Sequence, residues 1–254
     1  MRTLYMKGCV CMNFIYYAYL FFIGSSFASF YYLLAARIPR REKVVWTRSK
    51  CESCHTRLGF WDLFPVFSYF YLKGRCRYCG HSLSAAYCIF ELVGGIFFIQ
   101  NGLHYITSPR MFLFYMFLYS ILFLIAAIDQ QYFIIPDSLQ VILFLLLLVD
   151  RYLSGASFDK SCLYGLVGMF AVGFLASAMV PEGLGGGDIK LMSLFGLNLG
   201  FYNASFVLCF AALLGLLSIS FSHFFYKRNL SSPIPFGPFL VISFWLIKEG
   251  ILQL

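Results

Sequence analysis

The chain has 254 residues, of which 61% are hydrophobic, 20% aromatic and only 12% charged, with a net charge of +8. An ordinary soluble domain carries roughly 25% charged residues. Half that share, with a mean hydropathy of +0.79, excludes a chain bathed in water and predicts an all-α transmembrane bundle, because backbone polar groups in hydrocarbon must pair within their own segment.

The first apolar run spans about residues 10–36. Arg2 and Lys7 precede it, and Ser26-Phe27-Ala28 has the small-residue look of a signal-peptide cleavage site. The strongly basic stretch that follows opposes export, so an uncleaved first helix is expected. Residues 37–81 hold ten Lys/Arg (Arg37, Arg40, Arg41, Lys43, Arg48, Lys50, Arg57, Lys73, Arg75, Arg77) against Glu42, Glu52 and Asp62. Nearly the whole positive excess thus lies in one loop beside apolar spans. That pattern marks a cytoplasmic loop facing anionic headgroups and argues against a nucleic-acid partner.

The same loop carries Cys51-x2-Cys54, a spacer of 21 residues, and Cys76-x2-Cys79. In a reducing compartment two such pairs favour metal over disulfides, and four thiolates suit a closed tetrahedral zinc site. Such a site is structural, because four cysteines leave no open position. His55 and His81 stand beside the pairs as spare ligands. A small polar loop buries little core, so the metal would supply much of its folding energy. Cys9, Cys11, Cys88, Cys162 and Cys209 lie in apolar surroundings and read as small buried hydrophobes.

Seven further runs follow at about 85–106, 110–128, 134–153, 162–180, 189–200, 204–226 and 236–252, for about eight spans in all. Glu91 is an acid inside the second. Counting crossings from the cytoplasmic loop returns the chain to the cytoplasm near Asp129 and again near Asp188, and places Lys227 and Arg228 inside as well. Asp129 ends the run Leu122-Phe123-Leu124-Ile125-Ala126-Ala127-Ile128, Asp137 follows Ile134-Ile135-Pro136, and Asp188 ends Gly183-Leu184-Gly185-Gly186-Gly187. Ionisable groups at membrane depth are costly and are functional candidates. Two carboxylates forced together share a proton, so one can act as base on water while the other polarises a scissile carbonyl. Glycines before Asp188 remove side-chain bulk, so an extended substrate backbone could approach it. From these residues alone, a transporter using the acids as an ion path, or a zinc-stabilised scaffold without protease activity, remains an alternative.

Ala127-Ile128-Asp129-Gln130-Gln131-Tyr132-Phe133-Ile134-Ile135-Pro136-Asp137 resembles the first catalytic motif of the prepilin peptidases, or type IV leader peptidases, of the GxGD aspartyl protease class. Gly185-Gly186-Gly187-Asp188-Ile189-Lys190-Leu191 resembles the second. Pro235-Phe236-Gly237-Pro238-Phe239 resembles a late motif, and Gly24-Ser25-Ser26-Phe27 through Arg37-Ile38-Pro39 the first helix and its exit. The resemblance implies catalysis by Asp129 and Asp188, with Asp137 outside the protease pair and available as a helix N-cap. It implies structural zinc on the four loop cysteines, and hydrolysis of prepilin or pseudopilin substrates after the glycine that ends a short basic leader. The location implied is the bacterial cytoplasmic membrane. Asp62, Glu52, Glu182 or the catalytic acids are then the groups left to attract that leader.

Many members of the family also methylate the new N-terminus from S-adenosylmethionine. Lys73-Gly74-Arg75-Cys76-Arg77-Tyr78-Cys79 matches that pattern, and Glu91 with Gly95 matches the Glu-Leu-x-x-Gly segment, which makes Glu91 the cofactor-binding candidate. Asp62-Leu63-Phe64-Pro65 departs from the usual Asp-Asn-Ile-Pro. Ala86 and Cys88 stand where Arg and Pro are usual, and Cys51-Glu52 replaces Cys-Pro. The expected organisation is residues 1–36 as first helix, 37–84 as cytoplasmic zinc-binding loop with a potential methyltransferase part, and 85–254 as protease bundle.

Overall fold

The structure, a computed structural model, describes residues 2–39, 49–51, 53–105, 108–155, 159–179, 184–226 and 234–250. Among these the chain is almost wholly helical: α1 Arg2–Arg37, α2 Phe67–Tyr71, α3 Ala85–Tyr105, α4 Pro109–Tyr132, α5 Asp137–Leu153, α6 Lys160–Met179, α7 Gly186–Tyr226 and α8 Gly237–Lys248. It divides into two compact units, Met1–Ser120 and Ile121–Leu254.

In the first unit α1 and α3 run antiparallel, with Gly94 facing Ala28 and Gly102 facing Leu20. Small residues at such contacts let two helices approach closely enough to gain dispersion energy that lipid tails would otherwise match. The first half of α4 joins this pair through Tyr31 and Ser120, whose hydroxyls lie 2.6 Å apart, and through Asn101, which donates to the carbonyl of Phe112 at 3.2 Å. Tyr105 stacks on Tyr115 at 4.4 Å.

In the second unit α6 packs backbone to backbone on α7, with Gly165 against Gly196. Helix α7 is interrupted at Gly200, whose φ of 79° and ψ of 170° are non-helical. Such a conformation is open to glycine and strained for other residues. Ahead of the break, Ile189 lies by Gly173 and Gly200 lies by Ser161; beyond it, Phe201 lies by Gly168 and the Ser205 hydroxyl by the Met169 sulfur. The run therefore doubles back at Gly200, where the expected runs 189–200 and 204–226 meet.

A buried polar network holds this reversal. Asp150 of α5 accepts from Asn198 at 2.7 Å and from Lys248 of α8 at 2.6 Å. Arg151 donates to the carbonyl of Asn198 at 2.8 Å, one of those a broken helix leaves without an intrahelical partner. The core alongside is apolar, with Phe195 stacked on Phe244 at 4.1 Å.

Five helices are long and apolar enough to cross a membrane: Phe14–Arg37, Ala85–Tyr105, Pro109–Tyr132, Lys160–Met179 and Gly186–Phe224. The expected count of eight is thus not reached by length and composition. Helix α5 has 17 residues and α8 has 12, because residues 133–136 lie outside any helix and α8 begins only at Gly237. Cys88 and Cys162 are buried as expected, whereas Cys209 is exposed. The side chains of Cys9 and Cys11, and residues Lys227 and Arg228, lie outside the described residues.

Candidate active site and cysteine module

Asp129 sits in the last turn of α4, which ends where Phe133 takes a positive φ of 57° and returns its amide to the Asp129 carbonyl at 2.9 Å. Extended residues and Pro136 then lead into α5. The Asp129 side chain is buried, and its Oδ2 accepts from the backbone amide of Gly237 at 2.8 Å. That amide is at the N-terminus of α8, where amides lack intrahelical partners and attract a carboxylate. A Cβ at Gly237 would stand 2.9 Å from Asp129 Oδ2, so glycine is what lets helix start and carboxylate meet.

Asp188 lies in the first turn of α7, with its amide bonded to the Gly185 carbonyl at 3.1 Å. It is near enough to Asp129 to feel its charge, and its Oδ1 is buried with no hydrogen-bond partner among the described residues. Two acids 59 positions apart on different helices therefore converge at one end of this unit. Gln140 of α5 is buried beside them and donates to the Gly187 carbonyl at 3.2 Å. A Cβ at Gly187 would press on Ile135 at 2.9 Å, while one at Gly186 would meet nothing within 4 Å. Asp137 is not the N-cap: Pro136 holds that position, and Asp137 in the first turn pairs with Lys190 at 2.7 Å. That exposed bridge joins the two aspartate motifs.

The four loop cysteines come together in the first unit, their sulfurs all within 4.8 Å of one another. Each pair lies in the same kind of knuckle, closed by a single antiparallel bridge, Lys50 to Arg57 and Arg75 to Ser82. The residue after each second cysteine, His55 or Gly80, has a positive φ (56° and 71°). This geometry turns backbone amides toward sulfur. The Thr56 hydroxyl and amide hold the Cys54 thiol down to about 6. The amides of Cys79 and Tyr78 likewise lower Cys76. Although the His81 amide donates to Cys79, burial and three neighbouring sulfurs push that thiol up to about 11. Cys51 and Cys79 Sγ lie 3.8 Å apart, which equals the edge of a tetrahedron with metal–sulfur bonds of about 2.3 Å. The donor set fits a divalent metal.

Family profiles match both halves: the Bacterial Peptidase A24 N-terminal domain over residues 22–105, and the Type IV leader peptidase family over residues 116–220. A prepilin leader peptidase/N-methyltransferase of Bacillus subtilis is 32% identical, over 86% of this chain and 88% of its own. The chain belongs to the type IV leader peptidase family. A Vibrio cholerae protein of the same name is 26% identical over 94% of this chain and 99% of its own. One from Burkholderia pseudomallei is 31% identical over 80% and 67%. No solved structure matches.

Within the family profiles, the first match contains the cysteine module and Glu91, and the second contains Asp129 and Asp188. Glu91 is buried on α3, where its Oε2 accepts from the Val66 amide at 2.6 Å and the Ser29 side chain also bonds to it. Of the acids expected to attract a basic leader, Asp62 is engaged by Arg77 at 3.0 Å, and Glu52 and Glu182 lie outside the described residues. Sequence reading missed Gly237 and Gln140 as parts of the aspartate site. The late motif Pro235-Phe236-Gly237-Pro238-Phe239, with Gly-Pro at a helix start, was the signal available for the former; nothing local marks the latter.

Proposed function

We propose that this protein is an intramembrane aspartyl endopeptidase that removes the basic leader from prepilin- or pseudopilin-like substrates, with Asp129 and Asp188 as its catalytic pair. The proposed location is the cytoplasmic face of a bacterial inner membrane. The observation that carries this reading is the convergence of the two acids, one held by the Gly237 amide and the other with a buried oxygen unpartnered among the described residues. Two carboxylates at close range share one proton. The ionised member takes a proton from water, whose oxygen adds to the scissile carbonyl carbon while the protonated member hydrogen-bonds the carbonyl oxygen. As the tetrahedral intermediate collapses, the C–N bond breaks, the leader keeps the new carboxylate, and the departing amine takes a proton from the pair. Open space at Gly186 leaves room for an extended substrate strand, and Gln140 ties α5 to the turn that carries Asp188.

The test is cleavage of a tagged prepilin in membranes by wild type, Asp129→Asn and Asp188→Asn. Either substitution is expected to lower the rate by roughly 10²–10⁴-fold, the usual contribution of a positioned acid or base. Equal product from all three overturns the reading.

Two further assignments belong to the same proposal. Zinc is the proposed occupant of the cysteine module, since it favours four thiolates in a closed tetrahedron; there it would supply folding energy and no chemistry. The relatives' names also include N-methyltransferase. We carry that activity as a proposal, tested by transfer of a labelled methyl group from S-adenosylmethionine to the cleaved substrate. Glu91, whose Oε2 accepts from the Val66 amide, remains the proposed cofactor-binding residue for that activity.

A further inference from the structure

Residues 58–72 read Leu-Gly-Phe-Trp-Asp-Leu-Phe-Pro-Val-Phe-Ser-Tyr-Phe-Tyr-Leu, with Asp62 as the single charge. An apolar stretch of about this length is too short to span a bilayer and suits a re-entrant or interfacial segment. The loop folds into a 3-10 turn over Phe60–Leu63 followed by α2. Its aromatics are turned outward: Phe60, Trp61, Phe67, Phe70 and Tyr71 are 56–80% exposed. A water-facing loop has no reason to spread five large rings over its surface.

The depth of this loop follows from what it touches. Helix α3 has 21 residues, a length of about 31 Å against a hydrocarbon core of about 30 Å, so its whole length is needed to cross. Glu91 lies six residues inside its start, roughly 9 Å along the axis, and it is there that the Val66 amide is bound. The contact is not a loose one. Val66 takes a φ of 65°, a strained conformation for a β-branched residue, and with it presents its amide to the carboxylate. Deeper still, Phe64 and Phe67 pack on Phe22 of α1, with ring centroids 5.4 and 5.8 Å away. The neighbour of Phe22, Phe21, contacts Gly95, ten residues into α3 and about 15 Å from its start. The aromatic turn therefore lies beside the spans at a level where lipid, not water, surrounds them. The one charge it carries is neutralised by Arg77 at 3.0 Å, while Arg57, Lys73 and Arg75 at its margins are exposed, as headgroup contacts would be.

We infer that residues 58–72 form a lipid-embedded insertion reaching into the acyl region of one leaflet, hung from Glu91 through the Val66 amide, with Phe60, Trp61, Phe67, Phe70 and Tyr71 facing lipid. The cysteine module that continues from it is thereby held against the membrane surface. This assigns Glu91 a role as anchor of the insertion and is independent of the peptidase reading.

The test uses the full-length protein in liposomes. The emission of Trp61 is obtained as the difference between wild type and Trp61→Phe, a change that conserves bulk. The expected result is a blue-shifted emission quenched by lipids brominated in the upper acyl chain and untouched by aqueous iodide. A Phe70→Trp probe in the Trp61→Phe background reads α2 independently and should behave alike. Glu91→Ala should shift Trp61 toward iodide quenching with helix content unchanged. Quenching by iodide in the wild type overturns the inference. So does insensitivity to both quenchers, which would mean a protein partner or a second copy covers the aromatic face.

Discussion

The cysteine module and the aspartate site are built in opposite ways. The module is local: all four ligands lie within 29 consecutive positions (51–79), and each pair is shaped by its own five-residue turn. The aspartate site is assembled at long range, from Asp129, Gln140, Asp188 and Gly237 on four helices. The first can be read from spacing, because short turns fix where sulfurs go. The second exists only because α4, α5, α7 and α8 pack in one register, so changes far from the chemistry can reach it. The module should accordingly fail by losing the ion proposed for it, the aspartate site by losing alignment.

That contrast sets the order of expected effects. Removing the proposed metal should be the harshest perturbation, because a structural zinc would contribute on the order of 10 kcal/mol to a module this small. Cys54→Ser, or a strong chelator, should drop the metal content well below one equivalent and make residues 49–83 sensitive to limited proteolysis while total helicity holds. A purified wild type with less than about half an equivalent of metal would reject the structural site.

Next comes Lys248→Met, which strands the buried Asp150 carboxylate. Breaking a buried pair from one side costs about 3–5 kcal/mol, and thermal unfolding in detergent should register it. A change under about 0.5 kcal/mol would show the network to be idle. Gly237→Ala should lower the cleavage rate by roughly 10²-fold, the penalty for a small misplacement of a catalytic group, without altering metal content. Unchanged cleavage would mean that Asp129 does not need the approach seen here. The smallest effect belongs to Asp137→Asn. Its exposed bridge to Lys190 is worth at most about 1 kcal/mol, so unfolding and cleavage should both stay near wild type, and a large loss would give Asp137 a place in the chemistry.

The same contrast explains what could be read from sequence. The all-helical fold follows from apolar runs and the shortage of charge, and the expected runs 189–200 and 204–226 meet where the structure breaks α7 at Gly200. Crossing parity put Asp129 and Asp188 at one end, and the structure brings the two together. The count of eight spans is not confirmed by length and composition, since residues 133–136 shorten α5 and α8 begins only at Gly237. The Gly237 amide, Gln140 and the Asp150–Lys248 pair were beyond reach, because each depends on partners 47 to 108 positions away. Glu91 stood out in the sequence as an acid in an apolar helix, but its partner is a strained backbone amide 25 positions earlier, which no local pattern announces.

The central claim is that Asp129 and Asp188 act as one unit, and a double-mutant cycle in the cleavage assay tests it most directly. Groups that work as a unit are grossly non-additive. The account predicts that Asp129→Asn combined with Asp188→Asn is no slower than either single variant. Losses that multiply, or a single variant that cleaves at the wild-type rate, would contradict it.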